Sequence, residues 1–435
     1  KMDNSQSKNK FINAFNHIEE SMNGESKSPF HQVRKAAIKK FDELDFPTVK
    51  NEDWKYTNVS PILKHDFVAS ADVKTDKKAI EQFLIPGLKA SLVVFVNGSY
   101  SKELSHITKQ AAGIRIEDLN TLLKNEPELV MQYFGRFAGI DNGFTALNTA
   151  FAKEGTVILI PDNTEVDGHI HILNLTGAEG KNLISQPRNI IAAGKNSRVK
   201  IIESYHSLSE EENFTNTVNE VSVGDDSYVE IYRLQRENMK SFQVNRTQAR
   251  LGRNSTFTHY SVTLGGSIVR NDTNILLDDE NSTGNLYGLY LTEGSQHVDN
   301  HTLIDHAKPH CQSNEMYKGV LNDNSRGVFN GKVFVREDAQ KTNAYQSNKA
   351  ILLSDTAAID TKPQLEIYAD DVKCSHGAAI GQLDDEAVFY LRSRGIGEEM
   401  AKTVLIRAFA NDIFETIENE VLHDHLNHLV HEKLK

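Results

Sequence analysis

Cysteine is nearly absent from this chain of 435 residues, occurring only at Cys311 and Cys374. Two thiols exclude a disulfide framework and point to a reducing compartment, so a cytoplasmic location is expected. Basic charge is also short: 48 Lys and Arg stand against 60 Asp and Glu, a formal net charge of −12. With no cluster of Lys and Arg to serve as a phosphate-binding patch, a nucleic-acid partner is not expected. Long hydrophobic runs are missing too. None approaches the roughly 20 apolar residues of a membrane-spanning helix, and the first residues form no signal-like apolar region, so neither membrane nor export is expected. The sequence holds no Gly-x-x-x-x-Gly-Lys-Ser/Thr phosphate loop, which argues against ATP hydrolysis by this chain alone, and no Gly-x-Ser-x-Gly nucleophile elbow. An apolar fraction of 39% nonetheless suffices for a sizeable core.

Three zones follow along the chain. Residues 1–90 carry helical periodicity, clearest where Val33, Ala37, Phe41 and Leu44 share a face until Phe46-Pro47 stops the helix. Residues 91–382 read as short β-rich runs between polar turns, with a helical passage near 116–152. Residues 383–435 return to helix, starting from the cap residues Asp384 and Asp385.

Within the β zone a unit repeats. Gly194-Lys-Asn-Ser-Arg-Val-Lys-Ile, Gly224-Asp-Asp-Ser-Tyr-Val-Glu-Ile and Gly252-Arg-Asn-Ser-Thr-Phe-Thr-His align, with weaker copies at Asp279–Ser282 and Asn322–Ser325. Ser197, Ser227, Ser255 and Ser282 are 30, 28 and 27 residues apart. A β-sandwich places turns about 8 to 12 residues apart. The longer, near-constant step predicts stacked coils, a parallel β-helix, each coil burying its inward side chains against the next.

The chemistry concentrates in Tyr368–Ile396. Cys374 and His376 stand two residues apart in a strand-like run and so project from one face. A protonated imidazole there would lower the thiol pKa and supply thiolate at neutral pH. The plainer reading is a small buried thiol and a turn-capping histidine.

This segment, with Asn51-Glu-Asp-Trp-Lys-Tyr-Thr57 and Leu92-Val-Val-Phe-Val-Asn-Gly98, resembles the signatures of the SufB/SufD family of the SUF iron–sulfur cluster assembly system. Matches so widely spaced imply that nearly the whole chain belongs to it. The resemblance implies a right-handed parallel β-helix flanked by N- and C-terminal helical domains. It also implies a non-ATPase scaffold that pairs with a SufB-type paralogue and docks a SufC-type ATPase. Iron or a transient iron–sulfur cluster would be held in the complex with the paralogue, and no cofactor is expected on the isolated chain. His376 is the cluster-assembly residue and candidate iron ligand so implied, with Cys374 beside it in a lesser role. B-type chains carry a proposed sulfur-accepting cysteine in a segment similar to Asn-Cys-Asp-Ser-Leu-Leu-Ile-Gly. Here the corresponding run is Ser347-Asn348-Lys-Ala-Ile-Leu-Leu-Ser354, and Asn348 cannot form a thiolate, so the resemblance is to the D-type.

The helices from about Asp384 to Phe414 are then the expected ATPase-docking surface. Val388, Leu391, Ile396, Val404, Leu405, Ala408 and Phe409 supply apolar area, with Arg392, Arg394 and Glu398 at its rim. The open strand edges of the last coils would receive the paralogue or, in its absence, a second copy in a homodimer. His297, Asp299 and His301 share one strand face and form a weaker candidate metal site, set against a polar ladder on a solvated coil. His423, His425, His428 and His431 read as a solvated helix face, and Trp54 as an anchor for the N-terminal helices. The alternative from another class is a polysaccharide-active β-helix enzyme, which would use clustered carboxylates with Lys, Arg or calcium in an exposed groove.

Overall fold

The computed structural model describes residues 4–22 and 25–434. From Glu165 to Gly381 the strands alternate between two sheets, so that each coil contributes one strand to each. The first sheet stacks Arg198–Ser207, Tyr228–Arg236, Thr256–Thr263, Thr283–Thr292, Gln312–Leu321, Asn343–Leu352 and Lys373–Gly381 in parallel. The second does the same from Arg188–Ala193 to Ala358–Ile367. This is a parallel β-helix with flanking helices. Antiparallel pairing between strands occurs at its start, where Ala90–Val96 meets Ser99–Tyr100 and Arg115–Asp118 meets Thr156–Ile160.

The repeated turn has a physical cause. Asn163, Asn196, Asp226, Asn254, Asn281, His310 and Lys341 all adopt positive φ, between 50° and 62°, at the same corner of successive coils. Asn and Asp tolerate this left-handed conformation best. The next residue turns inward and ties the corner: Ser197 and Ser255 donate to the carbonyls of Gly194 and Gly252, each at 2.7 Å. Cys311 occupies the serine position in the sixth of these coils, fully buried, with its sulfur 3.2 Å from Ser282 Oγ, and Thr342 follows in the next. Asn322–Ser325, expected to continue this series, belongs instead to the opposite corner, because it leads into the second-sheet strand Arg326–Val335.

Inward side chains stack in columns one coil apart. Ile191, Val221, Ile275 and Ile304 fill one side of the interior with Val199, Ile201, Val229 and Ile231. The other side is polar. It carries Asn245, Asn271 and Asn300 from one sheet and Glu203, Arg233, Glu315 and Gln346 from the other. Large and small residues alternate where the coils are tightest: a Cβ on Gly319 would lie 2.3 Å from the ring of Tyr290.

The flanking helices cover the outer faces. Helix Pro29–Leu44 starts at Ser28, whose side chain accepts the His31 N–H at 3.2 Å, and ends at Asp45 with φ 58°. Its Phe41 joins Phe46, Trp54, Phe144 and Phe214 in a cluster over the second sheet. Helix Glu420–Lys433 places Leu422, Leu426, Leu429 and Val430 on one stripe against Tyr232, Leu234, Tyr260 and Leu289 of the first sheet. Each such buried leucine contributes about 1.5 to 3 kcal/mol. No described helix is long and apolar enough to cross a membrane.

Candidate functional site

At the last coil the solenoid interior meets solvent. Strands Ala358–Ile367 and Lys373–Gly381 stand at the ends of the two sheets, and among the described residues nothing pairs with their outer edges. The Lys373 N–H donates to Thr342 O at 2.9 Å. By parallel-ladder alternation, Cys374, His376, Ala378 and Ile380 therefore turn their N–H and C=O groups to the free edge. A Cβ on Gly377 or Gly381 would meet nothing within 4 Å, so the outward face of this strand is bare at both positions.

Cys374 and His376 both take inward register positions in this coil, above Ala344 and Gln346. The face sharing expected from their spacing is present, but the thiol–imidazole pair is not. Cys374 is packed with Val335, Ala339 and Ala344, and burial pushes its thiol up from the ordinary value. His376 is exposed and makes no hydrogen bond or ion pair to another described residue. Asn348 lies one inward column away, buried, with its amide donating to Thr361 Oγ1 at 2.8 Å.

Beneath His376 lies a stack that spacing along the chain did not reveal. Gln346 pairs in register with both His376 above and Glu315 below. Its Nε2 donates to Glu315 Oε2 at 2.7 Å, while Thr302 donates to the other carboxylate oxygen. Burial pushes the Glu315 carboxyl up to about 7 against these two hydrogen bonds.

His297, Asp299 and His301 do share a face, yet they form a different device from the expected metal site. Thr57 donates to Asp299 Oδ2, and its oxygen lies 2.8 Å from His297 Nε2. Arg270 Nη1 meets the same Asp299 oxygen at 2.7 Å, and its guanidinium stacks 4.2 Å from the Trp54 ring. Burial alone would raise the Asp299 carboxyl, but Arg270 and His301 overcome it and hold the group well below the usual carboxylate range. A carboxylate already engaged by a buried guanidinium has no free charge for a cation. Among the described residues no group of three or more His, Cys, Asp or Glu is placed to hold a metal ion. The network instead fastens the Asn51–Thr57 segment to the second sheet.

A groove of about 750 Å³ opens beside this network, between residues 44–54 and the second sheet. Among its carboxylates, Asp141, Asp272, Glu52 and Glu366 are paired with Arg246, Arg270, Lys362 and Lys332, in that order, and Asp45 lies near Lys8.

The C-terminal helices divide the expected docking residues. Val388 is turned into the core, and Leu391, Ile396, Leu405 and Phe409 are half-buried. Arg392 closes the turn to Glu398 at 3.4 Å, and Arg394 lies over the Tyr390 ring. The apolar surface actually presented is Phe389, 72% exposed, with Tyr390, Met400 and Val404. The helix pair is latched to the solenoid by buried Lys318, which donates to Phe409 O at 3.0 Å and to Asp412. His425 departs from the solvated face expected of it. It packs over the first sheet near His171 and His206, and burial pushes it down to about 4.

Comparison with known proteins agrees with this architecture. Residues 175–409 match the family described as SUF system FeS cluster assembly, SufBD core domain, and residues 5–172 match the SufBD protein N-terminal region. An iron–sulfur cluster assembly SufBD family protein of Synechocystis is 35% identical, over 88% of this chain and 86% of its own length. The iron–sulfur cluster assembly protein SufD of Escherichia coli is 31% identical over 86% of each chain, and that of Bacillus subtilis 25% over 93% of each. Two family matches that together span residues 5–409, joined to a parallel β-helix with helical flanks, establish that the chain belongs to the SufB/SufD family of iron–sulfur cluster assembly proteins and is SufD-like within it.

Proposed function

We propose that this chain is the non-ATPase scaffold subunit of a three-component assembly machine. It pairs through its open last coil with a SufB-type paralogue and presents Phe389, Tyr390, Met400 and Val404 to a SufC-type ATPase. Iron or a nascent cluster is the cargo, held at the junction with the paralogue where His376 is exposed; the isolated chain carries no resident cofactor. His376 suits this task because a neutral imidazole binds iron and takes protons as thiolates and sulfide exchange theirs. Without the paralogue, the same edge pairs with a second copy around a two-fold axis.

The observation that carries the reading is the uncapped pair of terminal strands, with an unpartnered histidine between two free edges. Exposed edges of this length invite strand addition, and soluble proteins ordinarily cover or charge them. Ala378→Pro tests it, since proline removes an edge-directed N–H without touching the ladder to Asn343–Leu352. Co-purification of the paralogue should fall by at least about tenfold while the secondary structure is retained, as one lost central hydrogen bond and a distorted edge cost about 1.4 kcal/mol or more. Undiminished pairing would place the interface elsewhere.

A further inference from the structure

Directly below His376 in its inward column, the open coil leaves a buried polar atom of Gln346 without a partner. Gln346 is wholly buried, and its Oε1 makes no hydrogen bond. Its orientation is set from below. Both Glu315 oxygens are occupied by donors, Thr302 on one and Gln346 Nε2 on the other, which turns the amide oxygen away from Glu315. The next residue in that inward column is His376, on the adjacent strand about 4.8 Å away. An amide oxygen at that position accepts a ring N–H when the imidazole turns toward the solenoid axis. A buried acceptor left without a donor is unfavourable, so the contact is favoured whenever the ring can reach it.

We propose that Gln346, held by Glu315, is a positioning residue that accepts a ring N–H of His376 and so fixes which imidazole nitrogen is presented at the mouth of the solenoid. An imidazole has one donor and one acceptor nitrogen when neutral, and the hydrogen bond made by one selects the other for chemistry. Ligating histidines commonly have their second nitrogen fixed in this way by an oxygen acceptor behind them. Gln346 supplies that acceptor here, and Glu315 keeps the amide from flipping. The lone pair of the other nitrogen is then directed outward, where iron or the proton of a thiol or hydrosulfide is met. The outward role rests on the proposed function of His376; the tautomer selection does not.

The two are separated by experiment on the full chain. In ¹⁵N-histidine spectra, with His376→Gln identifying the resonance, wild type should show one neutral tautomer of His376 in large excess. Gln346→Met, close in volume and without the acceptor, should relax that ratio toward that of free imidazole while leaving melting within a few degrees. Glu315→Gln should weaken the bias, because the new amide has only one acceptor oxygen and can donate its NH2 to Gln346 Oε1, which permits the flip that Glu315 prevents. Cluster yield from the complex co-expressed with the B- and C-type partners should fall about tenfold in Gln346→Met. An unchanged His376 tautomer in Gln346→Met overturns the inference. A relaxed tautomer with undiminished cluster yield in both Gln346→Met and His376→Ala leaves the positioning intact and removes the function assigned to His376.

Discussion

Asp299→Ala should detach the Asn51–Thr57 segment from the solenoid, and the sole tryptophan reports it. The substitution removes the acceptor of Thr57 and one of two carboxylates that neutralise Arg270, a side chain only 2% exposed. Asp272 remains 2.8 Å from that guanidinium, so the charge is half compensated. Breaking a buried ion pair from one side costs about 3 to 5 kcal/mol, and the surviving partner puts this case near the lower figure. Because Asp299 is held well below its ordinary pKa, its contribution is fully present above pH 4 and is lost only as pH falls through the depressed folded value. The assay is Trp54 emission at pH 7 during urea titration. Trp54 is 5% exposed and lies against Arg270 and Phe144, so loss of the network should shift its emission to the red and move its transition to lower urea. The far-UV signal of the coils should follow later. Asp299→Asn, which keeps an acceptor for Thr57, should lie between. If Asp299→Ala leaves both the emission maximum and the Trp54 midpoint unchanged, the network is not what holds this segment.

Other outcomes follow from the same structure. His169 and His425 are pushed down to about 4 and His171 and His259 to about 3 by burial, so each loses stability as pH falls below 6.5; Glu154, Glu237 and Glu315, raised to about 7 by burial, act in the opposite sense. With His206 and His306 also depressed, imidazoles prevail, and the urea midpoint should be lower at pH 5 than at pH 7, each unbalanced group adding about 1.4 kcal/mol per pH unit; a higher midpoint at pH 5 would refute the assignment. Gly319→Ala should cost about 1 to 3 kcal/mol by driving a methyl into Tyr290, read as a lowered melting temperature. Phe389→Ser with Met400→Ser should weaken ATPase pull-down without lowering the melting temperature, since both side chains are more than half exposed. Deleting residues 384–435, by contrast, should cause aggregation, because Leu422, Leu426 and Leu429 cover apolar residues of the first sheet.

The solenoid was legible because its corner needs a residue that tolerates positive φ followed by a small inward one, and Asn-Ser satisfies both at Asn196, Asn254 and Asn281. Where His310-Cys311 and Lys341-Thr342 fill the same corner, the geometry persists without the pattern, and the repeat fades from view. Alternation also placed Cys374 with His376, and His297 with Asp299 and His301, on common faces. What decides their chemistry lies one coil away or farther. Gln346 is 30 residues before His376, Arg270 is 29 before Asp299, and Thr57 is 242 before it. Such partners become neighbours only once the register of stacked strands is known. The exposure of the C-terminal helices was hidden for a related reason: a helical stripe shows which residues are apolar, whereas only packing shows that Val388 turns inward and Phe389 outward.

Cluster formation by the co-expressed complex carrying His376→Ala tests the central claim most directly. His376 is exposed and makes no hydrogen bond or ion pair to another described residue in the structure, so the variant should fold, melt within a few degrees of wild type and bind its SufB-type partner. The account predicts a complex of normal composition with iron and acid-labile sulfide reduced about tenfold or more. A His376→Ala complex that assembles clusters at the wild-type level would contradict it.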